Sequence, residues 1–260
     1  MFTRAELQHA LDADELLLLY QAKVDLRTGK PVGVECAIRW RHPAQGLLHA
    51  MKFVNDVPPA GLAPDYMRFI VRTATRQMAR WQTDSVPIGR ASINAWPTSI
   101  GRELIDDTLS AAAAAGIAPG EIEVESQPEA TYGPEIFAAL QQFRDAGIRV
   151  ALDDFGEGNL HFMALRDAPF DVVKLPVHFV KRTGAIFDDM VIAAGVAFAR
   201  SIGAETVAEG VETTQIRDRV RDLGCDIGQG FLWSQQVLAE ELPAVLRAIR
   251  IDGASAKPVA

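Results

Sequence analysis

Two rhythms of apolar residues alternate along the chain, and the points where one gives way to the other mark its elements. Thr3 precedes Glu6 at capping-box spacing, which predicts a short helix over about residues 4–13. Leu16–Leu26 and Pro31–Arg41 read as strands joined by the turn-like Arg27-Thr28-Gly29-Lys30, hence as a β-hairpin. A loop with Pro43, Gly46, Pro58, Pro59 and Gly61 follows. Asp65–Thr83 has helical spacing, with Met67, Ile70, Val71, Ala74 and Met78 on one side.

From there short apolar runs and helical stretches take turns. Strands are expected at Ile88–Asn94, Ile122–Glu125, Arg149–Asp153, Asp171–Leu175, Glu205–Ala208 and Asp226–Gln229. Helices are expected near 101–115, 134–146, 184–202, 213–223 and 239–250, most of them stopped by a glycine (Gly116, Gly147, Gly203, Gly224). Leu160–Leu165 follows a loop carrying Gly156 and Gly158. Repeated strand–helix units imply a parallel sheet. About eight strands over this length suit an α/β fold closed into a modified TIM (β/α) barrel, the hairpin making one strand near the N-terminus antiparallel. No linker interrupts the pattern, so residues 1–251 are expected to form a single domain without an attached sensor or synthase domain. The small polar tail 252–260 is expected to be disordered.

Composition narrows the function. The chain is 48% hydrophobic, enough for a sizeable core. Its net charge of −8, from 34 acidic and 26 basic residues, argues against binding a DNA or RNA polymer. Cys36 and Cys225 are far apart and lack zinc spacing, so both are expected to be reduced thiols. No signal-peptide pattern and no apolar run of membrane-span length is present, so a cytoplasmic protein is expected.

The chemistry gathers at strand ends. Ile148–Leu152 runs straight into Asp153-Asp154-Phe155-Gly156, and adjacent carboxylates repel unless a cation neutralises them. Glu35 and Arg39, Asn94, Glu125, Lys174, Glu209 and Glu212, and Gln229 also sit at or near the carboxyl ends of their strands, where (β/α) barrels build active sites. Strand alternation puts Glu35, Ala37 and Arg39 on one face. Carboxylates with an Asn, a Lys and an Arg, and no His or Cys, suit phosphate chemistry with Mg²⁺ or Mn²⁺ rather than zinc. Each residue taken alone has a plain structural use: a rim ion pair for Glu35 with Arg39, a turn for Asn94, an ion pair with Asp153 or Asp154 for Lys174, a helix start for Glu209 and Glu212.

These motifs, in this order, resemble the EAL domain, the cyclic di-GMP phosphodiesterase and receptor module of bacteria. The likeness covers about Leu17 to Leu246. It is carried by Tyr20-Gln21, by the run from Gly33 to Pro43, by Asn94, by Ala151-Leu152-Asp153-Asp154-Phe155-Gly156, by Asp171-Val172-Val173-Lys174, by Val207-Ala208-Glu209-Gly210-Val211-Glu212-Thr213 and by Gln229-Gly230-Phe231. The resemblance implies two divalent ions and hydrolysis of cyclic di-GMP to pGpG. It implies that Glu35, Asn94, Glu125, Asp153, Asp154 and Glu209 form the metal shell, with Lys174 orienting the attacking water and Glu209 also catalytic. Arg39 would hold a phosphate, and Gln21, Gln229 and Glu212 would lie near the nucleotide. Glu123 stands on the same strand face as Glu125, and spacing back from Asp153 would favour it as the ligand. The family also implies a possible homodimer.

Several positions depart from the family pattern. Glu-Ala-Leu is Glu35-Cys36-Ala37, which shortens the apolar side chain beside the nucleotide. Glu-x-Thr-Glu is Glu125-Ser126-Gln127-Pro128, Lys-Ile-Asp is Lys174-Leu175-Pro176, and the loop after Gly156 reads Glu157-Gly158-Asn159-Leu160-His161. Trp96, where the family has Ser, is expected to crowd the barrel mouth. The expected function is therefore binding of cyclic di-GMP with divalent metal and weak or lost hydrolysis. The rivals are a fully active phosphodiesterase and a degenerate domain that acts only through a protein partner.

Overall fold

The computed structural model describes residues 1–127, 134–157, 169–182 and 184–249. Its first helix, α1 (Arg4–Asp12), opens on the expected capping box: the Thr3 side chain accepts from the Glu6 amide, and the Glu6 carboxylate accepts from the Thr3 amide. Strands β1 (Leu16–Asp25) and β2 (Pro31–His42) then form the antiparallel hairpin. Asp25 closes its turn by accepting from the backbone amides of Arg27 and Thr28.

The sequence reading places a loop after this hairpin, but four of its residues form a strand, β3 (Gly46–His49). The cause is an open edge. One edge of β2 is taken by β1, while the other is paired with β4 (Arg90–Asn94) only over Gly33–Cys36. The remaining groups of that edge are satisfied by β3, which pairs with Arg39–His42.

Helix α2 (Ala63–Thr83) buries Tyr66, Met67, Ile70, Val71, Ala74, Met78 and Trp81 along one face. Next come α3 (Arg102–Ala115), β5 (Ile122–Ser126), α4 (Pro134–Asp145), β6 (Arg149–Leu152) and β7 (Val172–Leu175). The C-terminal part holds α5 (Val177–Lys181), α6 (Ile186–Ile202), β8 (Glu205–Glu209), α7 (Thr214–Asp222), β9 (Ile227–Gln229) and α8 (Leu242–Ala248). The short α5 was not expected; Pro176 at its N-cap starts it directly after β7. Helix α8 is shorter than the expected 239–250. The expected element Leu160–Leu165, Pro128 and the tail 252–260 lie outside the described residues.

Strands β2, β4, β5, β6, β7, β8 and β9 are parallel neighbours in that order, and β1 closes the ring by pairing antiparallel with both β9 and β2. This is the expected TIM-type barrel with one antiparallel strand. Alternation gives its wall two faces. Val34, Cys36, Ile93, Val124, Val150, Val173 and Ala208 join the large core that packs the helices onto the barrel, whereas Ala151, Val172, Val207 and Ile227 form a separate small cluster. Among the described helices none is long and apolar enough to cross a membrane.

Closure between β8 and β9 depends on Gly230. A Cβ there would lie 2.2 Å from the Val211 carbonyl oxygen and 2.4 Å from its nitrogen, so backbone rather than a side chain would have to move. Gly230→Ala is expected to destabilise the protein by about 3 kcal/mol, read as a lower urea midpoint at unchanged m-value; an unchanged midpoint would show that the Val211 segment gives way freely.

Candidate functional site

Strand alternation aims one row of polar side chains from each strand at the barrel axis, and at the carboxyl ends those rows meet. The centre is Lys174 on β7, which is 1% exposed. Its ammonium lies 2.6 Å from Glu125 Oε2, 3.0 Å from Asp153 Oδ1 and 2.7 Å from Glu209 Oε1. Three N–H donors thus face three carboxylates from three different strand ends. The barrel brings Glu125 and Glu209, 84 positions apart in the chain, onto one ammonium.

Glu125 is fully buried and has a cation on each oxygen. Lys23 of β1 lies 2.8 Å from Oε1, while Lys174 takes Oε2. Burial alone would raise this carboxyl group, but the Lys174 and Lys23 charges hold it down at about 2. Glu123 lies one inward step closer to the amino end of β5. It shares Lys23 at 3.0 Å and faces Arg149 at 3.6 Å, and Arg149 continues through Glu205 to Arg90. Of the two carboxylates left open by sequence, Glu125 is therefore the one in contact with Lys174.

A second row lies beside this hub. Asn94 Nδ2 donates to Glu35 Oε1 at 2.9 Å, and Gln229 Nε2 donates to Glu35 Oε2. Gln229 also donates to Gln21 Oε1 at 3.1 Å, and Gln21 reaches the Ser234 carbonyl at 2.9 Å. Arg39 is buried on the same strand as Glu35; it donates to its neighbour's carbonyl, Ile38 O, at 2.7 Å and to the Gln236 side chain. Glu212 stands apart, in a half-exposed ion pair with Lys181 at 2.6 Å. Trp96 packs against the core, its ring edge-on to Tyr66 of α2 at a centroid distance of 6.5 Å.

The paired aspartates differ. Asp153 is buried at the end of β6, whereas Asp154 adopts a left-handed backbone (φ 50°) that turns its carboxylate away from the strand direction. Among the described residues, Asp153, Asp154 and Glu209 each offer an oxygen such that these atoms all lie within 4.8 Å of one another. Burial, reinforced by the Asp153 and Glu157 charges, pushes Asp154 up to about 6. Burial also lifts Glu209 to about 8, with Asp153 and Glu35 adding to it and Lys174 opposing. Asp153 is also raised, by burial first, with Lys174 opposing and the Glu125 and Glu35 charges adding to it. Glu35, Glu125, Asp153, Asp154 and Glu209 thus crowd around one central ammonium, and the pocket favours uptake of further positive charge. The donors are all oxygen, so the chemistry of the set fits a hard divalent cation.

Residues outside the sequence expectation also matter. Lys23 was legible, since it stands two positions after Gln21 on a strand and so shares its face. The contacts of Gln127, Ser234 and Gln236 come from loops, where no periodicity assigns a direction.

Comparisons with known proteins agree with the barrel architecture. The family model described as EAL domain matches residues 4–236. The chain is similar to the cyclic di-GMP phosphodiesterase NbdA of Pseudomonas aeruginosa, with 33% identity over 253 residues, covering 96% of this chain and 32% of that protein. It is similar in structure to the PaMucR phosphodiesterase solved as a c-di-GMP complex, with a TM-score of 0.85 and 28% identity over 92% of this chain and 98% of that one. The EAL domain of Mycobacterium smegmatis DcpA is also similar, with a TM-score of 0.76 and 27% identity over 90% of this chain and 99% of that one. The chain spans between about a third and two fifths of the length of the curated relatives it matches.

Lys23 carries the electrostatics of the deeper layer. Lys23→Met is expected to lower stability by about 3–5 kcal/mol, because it leaves Glu123 and Glu125 buried with too little positive charge. Adding Glu123→Gln is expected to restore part of the loss in urea unfolding; no recovery would mean that Lys23 acts through packing alone.

Proposed function

The chain belongs to the EAL domain family, and we propose that it binds cyclic di-GMP together with Mg²⁺ or Mn²⁺ at the carboxyl end of the barrel, with weak or lost hydrolysis to pGpG. The observation that carries this reading is the oxygen-only cluster of Asp153, Asp154 and Glu209 around Lys174, beside the hydrogen-bonded row of Glu35, Asn94, Gln229 and Gln21. Glu35, Asn94, Glu125, Asp153, Asp154 and Glu209 are the residues assigned to the metal shell. Divalent ions held there would supply a more acidic water and neutralise charge developing on the phosphoryl oxygens.

The chain's own groups have separate tasks. Lys174 has its three donors committed to three carboxylates, so it can orient a water only when some of those carboxylates turn to another cation. Arg39 offers a buried guanidinium whose Nε lacks an acceptor, the arrangement expected of a group that receives a phosphate oxygen. Gln229 likewise keeps a buried carbonyl oxygen without a donor, available to an N–H of a base. Gln21 buttresses it, and Glu212 is assigned to the rim of the nucleotide site. Weak turnover is favoured by three features. Both Glu125 oxygens are held by lysines, Ala37 offers little surface to a base beside Glu35, and Pro176 puts a side chain without donors or acceptors after β7. The retained carboxylate set favours the second reading, full phosphodiesterase activity.

One titration decides between them: cyclic di-GMP is added to the protein with Mg²⁺ or Mn²⁺, and both heat of binding and pGpG are followed. The expected result is saturable, metal-dependent binding with slow product formation. Glu35→Ala should remove the metal dependence and lower any turnover beyond the roughly 10–100-fold that outer partners of a metal site cost. Rapid pGpG formation would establish the fully active enzyme. Neither binding nor product would overturn the nucleotide reading and leave the protein-partner one. Ala37→Leu is expected to tighten cyclic di-GMP about tenfold, the order of burying added apolar surface, in the same titration.

A further inference from the structure

The turn that carries Asp154 is held from both sides. Gln127, the residue directly after β5, donates its amide Nε2 to Asp154 Oδ2 at 2.8 Å. On the far side, His178 Nδ1 of α5 lies 2.9 Å from Glu157 Oε1. Between these contacts the backbone amides of Asp153, Asp154, Phe155 and Glu157 all find acceptors. Asp153 N donates to the Ser126 carbonyl at 3.0 Å, Asp154 N to Asp153 Oδ1 at 3.1 Å, Phe155 N to the Lys174 carbonyl at 3.0 Å and Glu157 N to the Asp154 carbonyl at 3.0 Å.

Asp154 needs such support. A non-glycine residue with φ of 50° is in a sparsely populated region, and a carboxylate beside Asp153 and Glu157 is repelled from both. Left alone, its side chain would turn toward water. Gln127 is neutral, and its amide nitrogen can only donate. It fixes Oδ2 of Asp154, whose carboxylate also belongs to the cluster with Asp153 and Glu209. An Asn or Ser at position 127 is too short to span the same gap from the end of β5, so side-chain length is part of the fit.

We infer that Gln127 is a positioning residue that presents Asp154 to the cation site, working through the amide–carboxylate hydrogen bond rather than by touching the ligand. The cation part of this statement rests on the proposed function above; the positioning part does not. Two readouts separate them. In metal-free protein, hydrogen exchange over residues 153–157 is measured for the wild type and Gln127→Ala, together with the melting temperature. Exchange is expected to speed up about tenfold, of the order one lost hydrogen bond to a charged group allows, while the melting temperature stays unchanged because Gln127 is exposed. Unchanged exchange, or a fall in melting temperature that accounts for it, would overturn the inference.

In the second readout Mn²⁺ alone is titrated and followed by its electron paramagnetic resonance signal, in the wild type, Gln127→Ala, Asp154→Asn and the double variant. Gln127→Ala is expected to weaken Mn²⁺ binding by about tenfold, and to have no further effect once Asp154 is Asn. An equal loss in both backgrounds would show that Gln127 acts elsewhere and would overturn the inference. A wild type that binds no Mn²⁺ would overturn the cation reading, and the exchange experiment would still decide whether Gln127 holds the turn.

Discussion

A lysine ammonium with three carboxylates, sealed at the end of a barrel, is the constraint from which the site takes its shape. Taking a charge out of water costs several kcal/mol even after relaxation, so Lys174 cannot be buried without partners. Glu125, Asp153 and Glu209 are those partners, one from each of three strand ends. Their convergence fixes how the ends of β5, β6, β7 and β8 sit relative to one another. The surplus of carboxylates over ammoniums has the opposite effect. Added to burial, it raises Asp154 and Glu209 above the usual carboxylate range and makes the pocket favour a divalent cation.

The same economy continues down the axis. Lys23 links Glu125 to Glu123, and Arg149 and Arg90 close the series on Glu205. Barrels of this type are often filled by apolar layers. Here the apolar filling inside the wall includes Ala151, Val172, Val207 and Ile227, and ion pairs occupy the levels above and below. Such a core ties stability to the site: removing one charge strands its partner in a dry environment. The helices are attached to the other face of the same strands by ordinary apolar packing, so the two faces perform separable tasks.

The loops decide what these strand ends can do. Pro176 starts α5 immediately after the Lys174 strand, and α5 brings His178 to Glu157. Gln127 reaches Asp154 from the end of β5. Comparison with the family pattern marks Gln127, Glu157 and Pro176 as departures. In space two of them are contacts that hold the Asp154 turn. A departure from a motif removes one interaction, but only geometry tells whether another has taken its place.

Local pattern was enough for most of the architecture. The capping box at Thr3, the hairpin, the alternation of strands and helices and the barrel with one antiparallel strand all follow from periodicity and turn chemistry, because these depend on neighbours in the chain. The inward face of each strand also follows, which is why Glu35, Glu125, Asp153, Lys174 and Glu209 could be placed at one end. What periodicity could not give was anything set by an edge or a loop. β3 forms because β2 keeps an unpaired edge, a fact about β4's register. Trp96 turns to Tyr66 because α2 offers an apolar surface there. Which of Glu125 and Glu123, two residues on one strand face, reaches Lys174 is a matter of height along the barrel axis. Those answers depend on distances between residues far apart in sequence, and only the closed barrel sets them.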